Sequence, residues 1–129
     1  MKILVQGPRG AGKSSLVKKI FNPPVAGLIT RRTKSGIIIA EMRDYMIVKW
    51  KRCAVFRSGR MITNIEVFDG FGVEIIKQLA QFDFEKYVII DEVGFAELDA
   101  RSYRNQLLKL LNQRKNIVAV LRDEANELI

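Results

Sequence analysis

The sequence has no histidine and a single cysteine, Cys53, among its 129 residues. One cysteine cannot form an internal disulfide framework, and without histidine the usual zinc sites have too few ligands. No run of about 18 or more apolar residues is present, and the start of the chain lacks the three regions of a signal peptide. The sequence therefore predicts a cytoplasmic protein without a membrane span.

The charge of the chain is unbalanced, with 22 Lys and Arg residues against 14 Asp and Glu residues and a net charge of +8. This balance favours polyanions such as nucleotides, nucleic acid or acidic proteins, and it also fits a solvated basic surface without a polyanionic partner. The length and a hydrophobic fraction of 48% predict a single domain over residues 1–129.

The hydrophobic pattern alternates between strand and helix periods. The predicted elements are a strand over 2–5, a helix over 14–21, β-hairpins over 26–67, a helix over 72–82, a strand over 85–92, a helix over 100–113 and a strand over 116–121. Asp99 is the expected N-cap of the helix at 100–113. This order predicts an α/β fold with a mostly parallel sheet flanked by helices and a hairpin-rich insertion after the first helix.

A glycine-rich stretch, "GPRGAGKS" at 7–14, follows the first strand and precedes the first helix. Its spacing is that of a P-loop, in which backbone N–H groups and the helix N-terminus surround phosphate. Lys13 is expected to span the β- and γ-phosphates, and the Ser14 hydroxyl to bind Mg²⁺. The predicted nucleotide-binding residues are Gly7, Pro8, Arg9, Gly10, Ala11, Gly12, Lys13, Ser14 and Ser15.

A second acidic motif ends the strand "YVIIDE" at 87–92. Asp91 is expected to hold Mg²⁺, and Glu92 to act as general base toward the attacking water. P-loop proteins with this acid pair usually insert a strand between the loop strand and the acid strand, which predicts 116–121 in that position. Arg122 would then point toward the γ-phosphate as a sensor, or be an ordinary surface charge. The strand at 2–5 would then be a sheet edge, which the C-terminal segment could cover, which could pair with another chain in self-association, or which could mark a shortened form.

With these motifs, the chain resembles the small P-loop nucleoside-triphosphatase family of the cancer-related nucleoside-triphosphatase type. The resemblance rests on "GPRGAGKSSLVKKI", "VAGLITRRTKSG" and "YVIIDEVGFAELDARSYRNQLLKLL". It implies a RecA-like fold and Mg²⁺-dependent hydrolysis of nucleoside triphosphates, ATP and GTP included, to diphosphate and phosphate. Members of this family usually extend further at the C-terminus, so the chain is expected to be short there.

Two other functions compete with hydrolysis. One is phosphoryl transfer by a nucleotide or nucleoside kinase, with the turn at 31–34 as its lid. The other is a nucleotide-gated module that binds nucleic acid. Arg31 and Arg32 could contact phosphate or be solvated. Trp50, in "VKWKR" at 48–52, could stack on a base, but the simpler interpretation buries it.

Overall fold

The computed structural model describes residues 1–7, 12–93 and 99–121. The strands are β1 (Lys2–Gln6), β2 (Ala26–Arg32), β3 (Gly36–Arg43), β4 (Met46–Arg57), β5 (Arg60–Thr63), β6 (Val88–Val93) and β7 (Ile117–Leu121). The helices are α1 (Lys13–Ile20), α2 (Ile65–Val67), α3 (Val73–Ala80) and α4 (Arg101–Gln113), with a π-helical turn, Phe68–Gly72, that joins α2 to α3. Among these residues, no helix combines the length and the apolar character needed to cross a membrane.

The seven described strands form one mixed sheet in the order β1-β7-β6-β2-β3-β4-β5. The pairs from β1 to β2 are parallel, and the three pairs from β2 to β5 are antiparallel. The predicted α/β class is confirmed, but the prediction of a mostly parallel sheet is wrong for the described residues. The predicted hairpins are part of this sheet, because their first strand, β2, pairs with β6. They extend the sheet and do not form a separate one.

The order of the parallel strands confirms that the strand predicted at 116–121 lies between the loop strand and the acid strand. β7 pairs with β1 on one side and with β6 on the other. β1 is the terminal strand of the described sheet, as expected. The carboxyl ends of β1, β7, β6 and β2 therefore meet at one edge of the sheet, where ligands of open α/β sheets bind.

Helices cover the two faces of the sheet unequally. On the face here called the α1 face, Val17 packs with Ile89, Val118 and Val120 of the parallel strands. On the opposite face, here called the α4 face, α3 and α4 bury a larger cluster. That cluster includes Ile75, Leu79, Tyr103, Leu107, Ile90 and Ile39. Each such side chain contributes roughly 1.5–3 kcal/mol when fully buried, so the α4 face carries most of the core.

Two expectations about the hairpin region are wrong. Residues 65–67, the end of the predicted hairpin region, are helical, because Val67 faces the α4-side core together with Phe68 and Phe71. Trp50, expected to point inward, is 54% exposed. Its strand, β4, lies beyond the part of the α1 face that Val17 covers, and β5 pairs only with residues 54–57 of β4.

The N-terminus of α4 is capped from another element. Its N-cap residue is Ala100 and not the predicted Asp99. Instead, Asp69 of the π-helical turn accepts a hydrogen bond at 2.9 Å from the backbone N–H of Tyr103. The Tyr103 ring packs against Gly72, where an added Cβ would lie 2.6 Å from the ring. The stretch Asp69–Gly72 therefore serves helix packing.

A buried arginine joins the end of α4 to the segment before β6. Arg114 is 2% exposed, and burial lowers the pKa of its guanidinium, while the charge of Asp83 opposes that shift. Its guanidinium donates to the carbonyl oxygens of Leu79 (3.3 Å), Phe82 (2.9 Å), Asp83 (2.5 Å), Lys86 (2.8 Å) and Asn116 (3.4 Å). The carbonyls of Phe82 and Asp83 follow the C-terminus of α3. Arg114 therefore donates hydrogen bonds to carbonyls that lie beyond the hydrogen-bonded part of the helix.

Candidate active site

The first half of the site is the junction between β1 and α1. Gly12 precedes α1 with φ 82°, a left-handed conformation that glycine adopts at low cost. The helix starts at Lys13, which is buried and donates from Nζ to the carbonyl oxygen of Gly7. The ammonium group therefore lies beside Gly7, where the sequence places the start of the phosphate loop, and the first turn of α1 directs its N–H groups toward the same end of the helix.

The second half of the site is the end of β6, and one contact joins it to the first. The Ser14 hydroxyl lies 3.1 Å from Asp91 Oδ1 and 3.0 Å from Asp91 Oδ2, although the two residues are 77 positions apart in the chain. Asp91 is 7% exposed and Ser14 is exposed. Because Asp91 lies on the α1 face, its carboxylate reaches the first turn of α1.

The pair of Ser14 and Asp91 has the chemistry of a divalent-metal site. A hydroxyl and a carboxylate are hard oxygen donors, which Mg²⁺ prefers, and Mg²⁺ usually takes only one or two protein ligands beside water and substrate phosphate. In the described part of the chain no three His, Cys, Asp or Glu side chains cluster as metal ligands. The residues present therefore fit a metal held jointly by protein, water and nucleotide.

The register between β2 and β6 places arginines near this pair. Ile29 lies opposite Asp91, so Arg31 and Arg32 continue past it at the same edge of the sheet. Arg31 is exposed and lies on the α1 face with Asp91. The Arg32 guanidinium lies 4.5 Å from the centre of the Phe56 ring, on the α4 face. Arg31 is thus the better placed of the two for contact with phosphate, a difference that depends on strand register.

A hollow of about 490 Å³ adjoins the loop on the outer side of β1. Its lining includes Gly12, Lys13, Ser15 and Lys19, so basic and hydroxyl groups face it. Ser15 is exposed, and the sequence assigns it to the nucleotide site. The hollow offers space for a ligand that extends from the loop over the N-terminal half of α1.

Some predicted site residues fall outside the described residues, namely Pro8, Arg9, Gly10, Ala11 and Arg122. For Glu92, the structure describes the backbone position, which is in β6 directly after Asp91. Gly7, Gly12, Lys13, Ser14, Ser15 and Asp91 all lie at or beside the carboxyl edge of the parallel strands. Their roles in chemistry stay predictions.

A family model described as NTPase matches residues 2–129. The chain belongs to this NTPase family. The resemblance to small P-loop nucleoside-triphosphatases is thereby confirmed. The prediction that the protein is a hydrolase acting on nucleoside triphosphates is confirmed as well. Hydrolysis in the NTPase family typically needs a divalent metal ion, which agrees with the donors found at Ser14 and Asp91.

Two relatives and one solved structure that resemble the chain carry the same name. The nucleoside-triphosphatase THEP1 of Thermotoga maritima is 24% identical over 138 residues, which cover 100% of this chain and 78% of that protein. THEP1 of Aquifex aeolicus is 27% identical over 141 residues, covering 94% of this chain and 77% of its own length. The crystal structure of THEP1 from the hyperthermophile Aquifex aeolicus aligns with a TM-score of 0.77 at 26% identity, covering 99% of this chain and 83% of that one.

Proposed function

We propose that this protein hydrolyses nucleoside triphosphates to diphosphate and phosphate with Mg²⁺, at the edge of the sheet where β1, β6 and α1 meet. The observation that carries the proposal is the contact between Ser14 and Asp91, which brings the phosphate loop and the acid strand into one site. The order β1-β7-β6 supports a RecA-like arrangement, in which one strand separates those two motifs. Residues 1–129 would act as a single domain.

The proposed roles follow the chemistry of each group. Residues 7–15 bind the triphosphate through backbone N–H groups, and Lys13 leaves the Gly7 carbonyl to contact the β- and γ-phosphates. Ser14 and Asp91 hold Mg²⁺, which supplies charge neutralisation to the phosphates when bound. Arg31 and Arg122 are further cations proposed to face the γ-phosphate.

Glu92 is the proposed general base. Its carboxylate accepts a proton from the water that attacks the γ-phosphorus, while the bond from that phosphorus to the bridging oxygen breaks and the diphosphate leaves. A kinase would direct an acceptor hydroxyl to that phosphorus instead. The Asp-Glu pair and the strand between β1 and β6 favour water as the acceptor.

The test is phosphate release from ATP, GTP, CTP and UTP by the purified protein. Glu92→Gln should lower the rate roughly 100-fold or more, in line with loss of a general base, and should still bind nucleotide. Glu74→Gln is the matched control, because it makes the same change on an exposed residue of α3 and should keep the full rate. An unchanged rate in Glu92→Gln would exclude Glu92 as the base. A phosphorylated nucleoside product would favour the kinase.

Self-association through β1 stays a prediction, as does the cytoplasmic location. β1 ends the described sheet, and Leu4 on it is 56% exposed. Beside it, a hollow of about 340 Å³ is lined by Ile3, Leu4, Leu108 and Leu111. The measurement is the molar mass in solution by light scattering, with Leu4→Lys as the variant that should return a dimer to monomer.

A further inference from the structure

The α1 face has two parts, and the helices among the described residues cover only one of them. Val17 of α1 packs on the parallel strands. Farther along the sheet, the same face of β4 and β5 is open to solvent, with Trp50 54% exposed and Ile62 52% exposed. We call this surface, formed by Arg31, Trp50, Arg52, Val55, Arg57, Arg60 and Ile62, the arginine face.

The register shows that these side chains share one face. Arg52 pairs with Ile38, which pairs with Arg31, and Trp50 pairs with Ala40. In β4, Cys53 is an extra residue opposite β3 at a register shift, and both Cys53 and Ala54 point into the core on the α4 face. This bulge turns the following residues over, so Arg57 lies on the same face as Arg52 despite the odd spacing between them.

The charge of the arginine face is all of one sign. Arg57 and Arg60 lie directly opposite each other across the tight turn at 58–59, and both are exposed. Within the described strands β2 to β5, Glu41 is the single acid, and it lies on the α4 face with Arg43 and Lys49. Four arginines thus stand on the arginine face without a carboxylate from their own strands to neutralise them.

An aromatic ring and a groove lie among these arginines. The Arg52 guanidinium, which neighbours Trp50 along the face, is held by hydrogen bonds to Ser35 Oγ at 2.7 Å and Thr33 Oγ1 at 3.3 Å. A groove of about 660 Å³ continues from Arg52 past Val55 and Arg57, and the acid in its lining is Glu66.

We propose that the arginine face binds single-stranded nucleic acid. Exposed aromatic rings between cations are the chemistry that binds unpaired bases and their phosphates, because a base stacks on the ring while guanidinium groups contact the backbone. An acidic protein would also pair with the arginines, and competition by an acidic polymer is therefore one arm of the test. A duplex does not offer the face of its bases to Trp50. Its aromatic centre, Trp50, lies about 14 Å from Asp91, three strand spacings along the same row, and Arg31 lies between them at the border with the proposed hydrolytic site.

The protein provides its own probe, because Trp50 is its single tryptophan. Titration with U15 and dT15 oligonucleotides should quench Trp50 fluorescence, and the two arms distinguish RNA from DNA. Trp50→Ala should weaken binding about 10-fold or more, measured by anisotropy of a labelled oligonucleotide, and Trp50→Phe should retain most of the affinity.

Salt dependence tests the arginines. Four phosphate contacts predict a slope of about −2.8 in a plot of log K against log salt, and the double variant R57Q/R60Q should reduce its magnitude by about 1.4. The matched control is K49Q/K51Q, which removes two charges from the opposite face of the same strand and should leave the slope unchanged. Lys13→Ala should still bind the oligonucleotide, which separates this site from the nucleotide site.

Three results would overturn the proposal. One is an oligonucleotide that leaves Trp50 fluorescence unchanged. Another is an equal loss of oligonucleotide affinity in K49Q/K51Q and R57Q/R60Q, which would indicate general attraction to a basic protein. The third is displacement of the oligonucleotide by polyglutamate at equal charge concentration, which would point to an acidic protein partner.

Discussion

Replacement of the buried Arg114 by methionine should destabilise the protein by about 2–4 kcal/mol. The variant keeps an apolar stem of similar length and removes the guanidinium that bonds the carbonyls of Phe82, Asp83 and Lys86. The Leu79 and Asp83 carbonyls retain bonds from the Phe82 and Lys86 N–H groups, so two carbonyls, those of Phe82 and Lys86, lose the partner that Arg114 supplies. At about 1–2 kcal/mol for each partly buried carbonyl, the loss is a large share of a typical stability of 5–15 kcal/mol.

The measurement is urea unfolding followed by circular dichroism, since the exposed Trp50 is a weak reporter of burial. Lys115→Met is the control, because it removes the same charge from an exposed neighbouring residue and should change stability by no more than about 0.5 kcal/mol. Arg114→Lys should fall between the two, since a single ammonium cannot reproduce the planar fork. If Arg114→Met and Lys115→Met unfold at the same urea concentration, Arg114 does not hold the segment before β6.

The π-helical turn provides two more predictions. Gly72→Ala should destabilise by about 1 kcal/mol, because overpacking against Tyr103 costs about 1–3 kcal/mol and the gain in helix propensity returns up to about 1. Gly70→Ala, whose added Cβ meets no atom within 4 Å, should be neutral or stabilising. Thermal melts of the two variants measure this, and a lower melting temperature for Gly70→Ala than for Gly72→Ala would contradict the packing of Gly72 against Tyr103. Asp69→Ala should cost about 0.5–2 kcal/mol by loss of the α4 cap, whereas Asp69→Asn should keep most of it. Equal melting temperatures for Asp69→Ala and Asp69→Asn would show that the cap contributes nothing.

The sequence predicted what depends on neighbouring residues. The glycine spacing around Lys13 and the apolar run before Asp91 are local patterns, and the acid pair also predicted the strand order around β7. The face on which Arg31 or Arg32 lies depends on register with β3 and β6, which no local pattern fixes. Trp50 is exposed because no described helix covers its part of the α1 face, and a local pattern does not show which part of a sheet a helix will cover.

Contacts between residues distant in sequence account for two other wrong predictions, the N-cap of α4 and the strand at 65–67. The cap of α4 comes from Asp69, 34 residues before Tyr103, so a local pattern that points to Asp99 gives the wrong cap. Residues 65–67 have the β-branched composition of a strand, yet they are helical because Val67 packs into the core beside Phe68. In both places, tertiary packing outweighs a local preference of the order of 1 kcal/mol.

The two motifs of the active site differ in how their strands are held. β6 has hydrogen-bonded neighbours on both sides, β7 and β2, whereas β1 pairs with β7 alone in the described sheet. Amide hydrogens of β6 should therefore exchange with solvent only through opening of most of the molecule, while alternate amides of β1 should exchange early. Asp91 thus lies on a strand that is held on both sides, whereas β1, which leads into the phosphate loop, can open locally without moving Asp91.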